Sequence, residues 1–124
     1  MKTKIEIIQE TVNYYSTDPS RRATEIRNDR LSCVYQTKDG RNCALGRYLI
    51  NPLDEGLRNY AANSLFFEDN PESFYILKPE ARIEDRYFWI DVQDLHDESK
   101  YWTETGLSED GKLYVTRLLE KYKN

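Results

Sequence analysis

His96 is the only histidine in the chain, so any chemistry that needs an imidazole must run through it. It stands in Leu95-His96-Asp97 near the end of a helical stretch, where a helix C-terminus favours the protonated ring. A thiol or carboxylate beside it would make it a base or a metal ligand. The alternative is a ring packed against Tyr101 or Trp102. Cys43 is the thiol such a base would serve. If Asn42 caps a helix, Cys43 falls in its first turn, where the dipole lowers a thiol's pKa. His96 as base, with Asp97 or Asp94 orienting its ring, would then complete a nucleophile constellation. The competing reading of Cys43 is a small, buried, apolar side chain.

A second kind of chemistry is suggested by charge. Residues 1–50 carry nine Lys and Arg against six Asp and Glu, whereas residues 51–124 carry nine against sixteen. Between 21 and 47, seven bases (Arg21, Arg22, Arg27, Arg30, Lys38, Arg41 and Arg47) face three acids. Tyr14, Tyr15, Tyr35, Tyr48 and Tyr60 fall in or near this basic half. Guanidinium groups hold phosphate bidentately and aromatic faces stack on bases, so Arg21, Arg22, Arg41 and Arg47 with Tyr35 or Tyr48 would suit an anionic, nucleotide-like ligand. The same set also describes a core with snorkelling arginines that neutralise the chain's own carboxylates. The net charge of −4 argues against general binding to a nucleic-acid backbone.

Metal and phosphate-loop chemistry find little support. A two-residue turn at Asp39-Gly40 pairs residue 36 with 43 and points Cys33 and Cys43 to opposite faces, while a three-residue loop would bring them to one face. Nine intervening residues and a single histidine match no structural zinc spacing. Gly40 and Gly46 fit neither a Walker nor a dinucleotide pattern, so no cofactor is expected.

These residues need elements to position them. Residues 3–16 form an amphipathic stripe through Ile5, Ile8, Val12 and Tyr15. Asp18-Pro19 reads as a cap and first helical position, opening a helix to about Arg27. Leu31 to Thr37 alternates like a strand, and Asp39-Gly40 is a hairpin signal. Arg41 to Leu45 is either its return strand or a link into a helix from Cys43 to about Ile50. Residues 53–63 suggest a helical turn or two, and 64–82, cut by Pro71 and Pro79, an irregular or weakly helical stretch. Residues 84–99 predict a helix with Phe88, Val92, Leu95 and Ser99 on one side. Ser108 caps a last helix whose apolar face is Val115, Leu118, Leu119 and Tyr122. The expectation is one predominantly helical α+β domain spanning 1–124, with one small hairpin. At this size roughly two-thirds of the unfolded surface can be buried, and ten Tyr, four Phe and two Trp can fill that core. No run approaches a membrane span. The basic N-terminus is interrupted by Glu6, Gln9 and Glu10, so a cytoplasmic chain with reduced thiols is expected.

Several motifs together resemble a group of small uncharacterised proteins of tailed phages and some bacterial genomes. They are Cys33-Val34-Tyr35, Asp39-Gly40-Arg41-Asn42-Cys43-Ala44-Leu45-Gly46-Arg47-Tyr48-Leu49, Asp94-Leu95-His96-Asp97, Trp102 and Gly106-Leu107-Ser108-Glu109-Asp110-Gly111. The resemblance implies an accessory protein that counters a host defence, in the manner of oligomeric sponges for nucleotide messengers. The expected function is accordingly a non-enzymatic, homo-oligomeric binder of an anionic small molecule. The alternatives are a module that binds a host protein through its acidic half, 68–110, and a thiol enzyme using Cys43 and His96.

Overall fold

Thr3 and Glu6 start the first helix by capping each other. The Glu6 N–H donates to Thr3 Oγ1 at 3.1 Å and the Thr3 N–H to Glu6 Oε1 at 3.4 Å, satisfying two of the donors a helix start leaves open. Helix α1 then runs Lys4–Thr17 in this computed structural model, which describes residues 1–22, 24–27, 30–33, 35–37, 39–54, 57 and 64–123, with backbone alone for 24–33. Its inward face is Ile7, Ile8, Thr11 and Tyr15. Ile5 and Val12 sit at the margin, so the buried stripe is rotated by about one residue from the expected one.

Asp18 does act as a cap, accepting from the Ser20 N–H at 3.0 Å. The helix after it is only a 3₁₀ turn, Pro19–Arg21. The expected continuation to Arg27 is strand β1, Thr24–Arg27, paired antiparallel with β2, Arg30–Cys33, in the register Thr24↔Cys33 to Arg27↔Arg30. Arg22 leaves the turn in extended conformation, and its side chain is drawn onto the end of a distant helix, which overrides the local helical preference. The strand expected over 31–37 is therefore divided: its start, in β2, pairs backwards in sequence with β1, and 35–37 pair forwards with 41–43.

The Asp39-Gly40 turn is present, with Gly40 at φ +89°, a conformation that favours glycine. Its register differs from the two-residue expectation. Gln36 bridges Asn42, and Thr37 N–H donates to Arg41 C=O at 2.8 Å, which is a three-residue loop closed by a left-handed glycine. Asn42 does not cap a helix. The expected helix from Cys43 to Ile50 is a single 3₁₀ turn, Gly46–Tyr48, and Leu49 leaves it extended to bridge Leu77. Gly46 lies so close to the Tyr35 carbonyl that any Cβ would collide with it. The expected helical turn at 53–63 falls mostly outside the described residues. Across 64–82 the chain forms proline-initiated 3₁₀ turns, Pro71–Ile76 and Pro79–Ala81, as an irregular stretch should.

Helix α2, Arg86–Asp97, is capped by Asp85, whose carboxylate takes the Phe88 N–H at 3.1 Å and the Lys4 ammonium at 2.7 Å. It buries Phe88, Trp89, Val92, Gln93, Leu95 and His96; Ser99, expected on its face, lies in the 3₁₀ turn beyond it. A two-residue pair that periodicity missed, β3 (Trp102–Thr103) and β4 (Gly106–Leu107), leads into α3, Glu109–Lys121, capped by Ser108 as expected. The fold is α+β and mostly helical, with small antiparallel strand pairs. At the centre of its core is Trp89, with its ring 5.7 Å from Tyr48, 5.1 Å from Phe88 and 6.3 Å from Phe66, and its indole N–H on the Ile83 carbonyl at 3.0 Å. Each such aromatic pair contributes about 0.5–1.5 kcal/mol beyond its area. Among the described residues no helix is long and apolar enough to cross a membrane.

Gly111 sits in the first turns of α3 beneath the Tyr101 carbonyl, with Leu107 Cδ2 2.9 Å from the place a Cβ would take. In an open helix Gly→Ala is stabilising by about 1 kcal/mol. Here overpacking reverses the sign, and Gly111→Ala is expected to destabilise by about 1–3 kcal/mol. Thermal unfolding of the two proteins checks this; a raised Tm would contradict it.

Candidate functional site

The residues singled out for chemistry assemble where α1, the loop 42–48 and the end of α2 meet. Gln93 and Asp97 are one helical turn apart, so their side chains meet, with the Gln93 amide donating to Asp97 Oδ1 at 2.9 Å. The same carboxylate oxygen lies 2.9 Å from His96 Nδ1. Asp97, not the exposed Asp94, orients the ring. His96 is fully buried and packs edge-on against Tyr15 at 5.1 Å, rather than against Tyr101 or Trp102. Tyr15 in turn donates its hydroxyl to the Asn42 carbonyl and stands 6.0 Å from Trp102.

Burial governs the electrostatics here. It pushes the His96 pKa below the usual imidazole range, outweighing the Asp97 carboxylate that pulls the other way. The protonated ring expected at a helix C-terminus is thereby overruled, because desolvation of a buried cation exceeds the dipole's contribution. Cys43 is equally buried, and burial drives its thiol up to about 12, with the Gly46 N–H only partly offsetting the effect and Asp97 adding to it. Its Sγ accepts the Gly46 N–H at 3.0 Å. Cys43 thus sits outside any helical first turn and is a neutral thiol, the reverse of an activated nucleophile. Free and buried, it caps its own tight turn.

The arginines divide into two pairs. Arg22 lays its fork across the end of α2, Nε to the His96 carbonyl at 2.8 Å and Nη2 to the Asp97 carbonyl at 3.0 Å, satisfying acceptors that a helix end leaves open. Arg41 holds Asp39 through Nε at 3.1 Å and the Arg22 carbonyl through Nη1 at 3.1 Å. These two are structural. Arg21 and Arg47 instead converge on Tyr14, their guanidinium carbons 4.9 and 4.0 Å from its ring centre. Among the described residues neither makes an ion pair, and Arg47 Nη1 is buried without a hydrogen-bond partner. Glu10, the carboxylate whose pKa the Arg47 charge helps to hold down, is bonded to Lys2 and Tyr48.

Tyr35 and Tyr48, expected to stack on a ligand, are instead core residues. Both rings are buried, burial raises both pKa values, and the Tyr48 hydroxyl is committed to Glu10 at 2.7 Å. The aromatic that gathers the cations is Tyr14, which the charge pattern did not single out. An open cleft of about 590 Å³ lies nearby, lined by Asp18, Ser20, Arg22, Trp102 and Glu104 among others. Among the described residues, no three His, Cys, Asp or Glu side chains converge as metal ligands. No protein-family model matches the chain, and neither do any curated proteins or solved structures.

The two buried groups give separate tests. In a Cys33→Ser background, Cys43 is expected to resist iodoacetamide at pH 8 while folded and to react at once in denaturant, read by intact mass. Because the folded His96 pKa lies below its unfolded value of about 6.5, the unfolded chain takes the proton first. Stability present above pH 6.5 is therefore expected to fall as the pH drops through that value, and His96→Gln should flatten this dependence in urea titrations.

Proposed function

We propose that this protein binds, without converting, an anionic nucleotide-like small molecule, and that Arg21 and Arg47 hold the ligand's phosphate. One observation carries the reading. Two guanidinium groups meet at one half-buried tyrosine with no carboxylate paired to them among the described residues, and one has a buried N–H donor still unanswered. A buried donor left unsatisfied costs about 1–3 kcal/mol, a deficit that a phosphate oxygen would remove. Stacking on Tyr14 fixes the guanidinium planes, so less order is lost when a bidentate contact forms. Arg22 and Arg41 then belong to the scaffold behind the site, and Tyr35 and Tyr48 to its floor.

Binding is favoured over thiol catalysis by the state of Cys43. A thiol raised to about 12 and enclosed by the core supplies almost no thiolate at neutral pH. The resemblance to phage accessory proteins supports sequestration of a host signalling nucleotide as the biological purpose, with a homo-oligomer completing the binding site.

Calorimetry against a panel of cyclic and ADP-ribose-derived nucleotides tests the reading. Heat is expected with at least one of them. Arg47→Lys, which keeps the charge but loses the fork, and Arg21→Gln should each weaken that affinity about tenfold or more, the equivalent of 1.4 kcal/mol. Silence across the panel from folded protein would overturn it.

A further inference from the structure

On the side of the molecule formed by 49–54 and 66–77, the chain alternates between core and solvent. Leu49, Phe66 and Phe74 are buried, and the residue after each, Ile50, Phe67 and Tyr75, is 47–57% exposed. Leu53, in the turn that Asp54 N–H closes onto the Asn51 carbonyl, is exposed as well. The buried partners bring these outward residues together. Leu49 bridges Leu77, and the Ile50 N–H donates to the Ile76 carbonyl at 2.9 Å. Phe66 stacks on Phe74 with ring centres 5.0 Å apart, so their successors emerge from adjacent points. Ser73 ties the Phe67 backbone to the same turn through both its N–H, at 2.8 Å, and its carbonyl, at 3.2 Å.

The stretch that supplies Phe67 and Tyr75 carries one sign of charge. Residues 64–77 hold three acids, Glu68, Asp69 and Glu72, and no base. All three are exposed, and none makes an ion pair among the described residues. Just beyond this stretch Lys78 is exposed, and Arg82 lies over the Tyr75 ring at 5.1 Å, bonded to the Leu77 carbonyl at 3.1 Å. An acidic rim repels anionic lipid and nucleic acid, and it repels a second copy of itself. Its complement is an apolar strip flanked by positive charge.

We infer that this face is a docking surface for another protein's amphipathic segment, its apolar side chains seated on Ile50, Leu53, Phe67 and Tyr75 and its flanking Lys or Arg side chains facing Glu68, Asp69 and Glu72. Large exposed apolar groups with a polar rim are the ordinary signature of such a surface. The face uses none of Tyr14, Arg21 and Arg47, and the inference stands or falls apart from the anion site.

The test titrates the whole protein into a fluorescein-labelled leucine–lysine amphipathic peptide and its leucine–glutamate counterpart. The lysine peptide is expected to bind, the glutamate peptide to fail, and binding to weaken with salt. The double change Leu53→Ser, Phe67→Ser leaves charge untouched and alters exposed side chains, so the fold should survive, as unchanged circular dichroism would show. It should cost about tenfold or more in affinity. Glu68→Gln with Glu72→Gln should weaken binding, whereas Glu84→Gln with Glu104→Gln should not. Equal binding by the Leu53→Ser, Phe67→Ser protein, equal binding of both peptides, no binding at all, or preference for anionic vesicles would each overturn the inference.

Discussion

Buried backbone without regular structure has to be hydrogen-bonded by something else, and that requirement organises this molecule. Residues 43–49 are almost wholly enclosed, yet only Gly46–Tyr48 form even a 3₁₀ turn. Their peptide groups are answered one at a time: Cys43 N–H by the Tyr35 carbonyl, Leu45 N–H by the Gln93 amide oxygen, Gly46 N–H by the Cys43 sulfur, and the Asn42 carbonyl by the Tyr15 hydroxyl. Each satisfied group avoids a penalty of about 1–3 kcal/mol. The polar side chains that look catalytic in sequence are therefore mostly tenants of the core. Gln93 and Asp97 brace one another, His96 leans on Tyr15, and Cys43 turns inward.

The same logic sorts the arginines. A guanidinium can neutralise a carboxylate, close a helix end or stack on a ring, and this chain uses all three. Arg41 does the first, Arg22 the second, and Arg21 and Arg47 the third. Of these four, Arg47 has a buried donor without a partner among the described residues, while Arg21 also donates to the Tyr14 carbonyl at 3.3 Å. Of the positive charge between 21 and 47, Arg22 and Arg41 are thus engaged with the chain's own backbone and carboxylates, a use that charge counting alone does not distinguish from a ligand site.

How far the chain could be read depends on the range of the forces involved. Helix starts are local, and so Asp18-Pro19 and Ser108 were legible, as were the apolar faces of α2 and α3. The Asp39-Gly40 turn was also legible, and of its two possible lengths the structure takes the three-residue loop. β1 was hidden because Arg22 to Arg27 has helical character that only Arg22's contact with α2, seventy-odd residues away, displaces. β3 and β4 are two residues each, too short for any period to register. Gly46 and Gly111 are small because of carbonyls on other segments, and no local pattern encodes that. Tyr14 was visible as one of five tyrosines in or near the basic half; that it is the ring on which Arg21 and Arg47 meet depends on two segments far apart in sequence.

The ties across this core span long stretches of sequence: Tyr15 to Asn42, Leu45 to Gln93, Arg22 to the end of α2. During synthesis the first fifty residues would leave the ribosome with their central loop still unanswered, because Gln93 and the carbonyls of His96 and Asp97 do not yet exist. At roughly 5–20 residues per second, that gap lasts several seconds. The buried loop of the amino-terminal half thus has its hydrogen-bond partners only once 86–97 has been made, despite the early, self-capped helix before it.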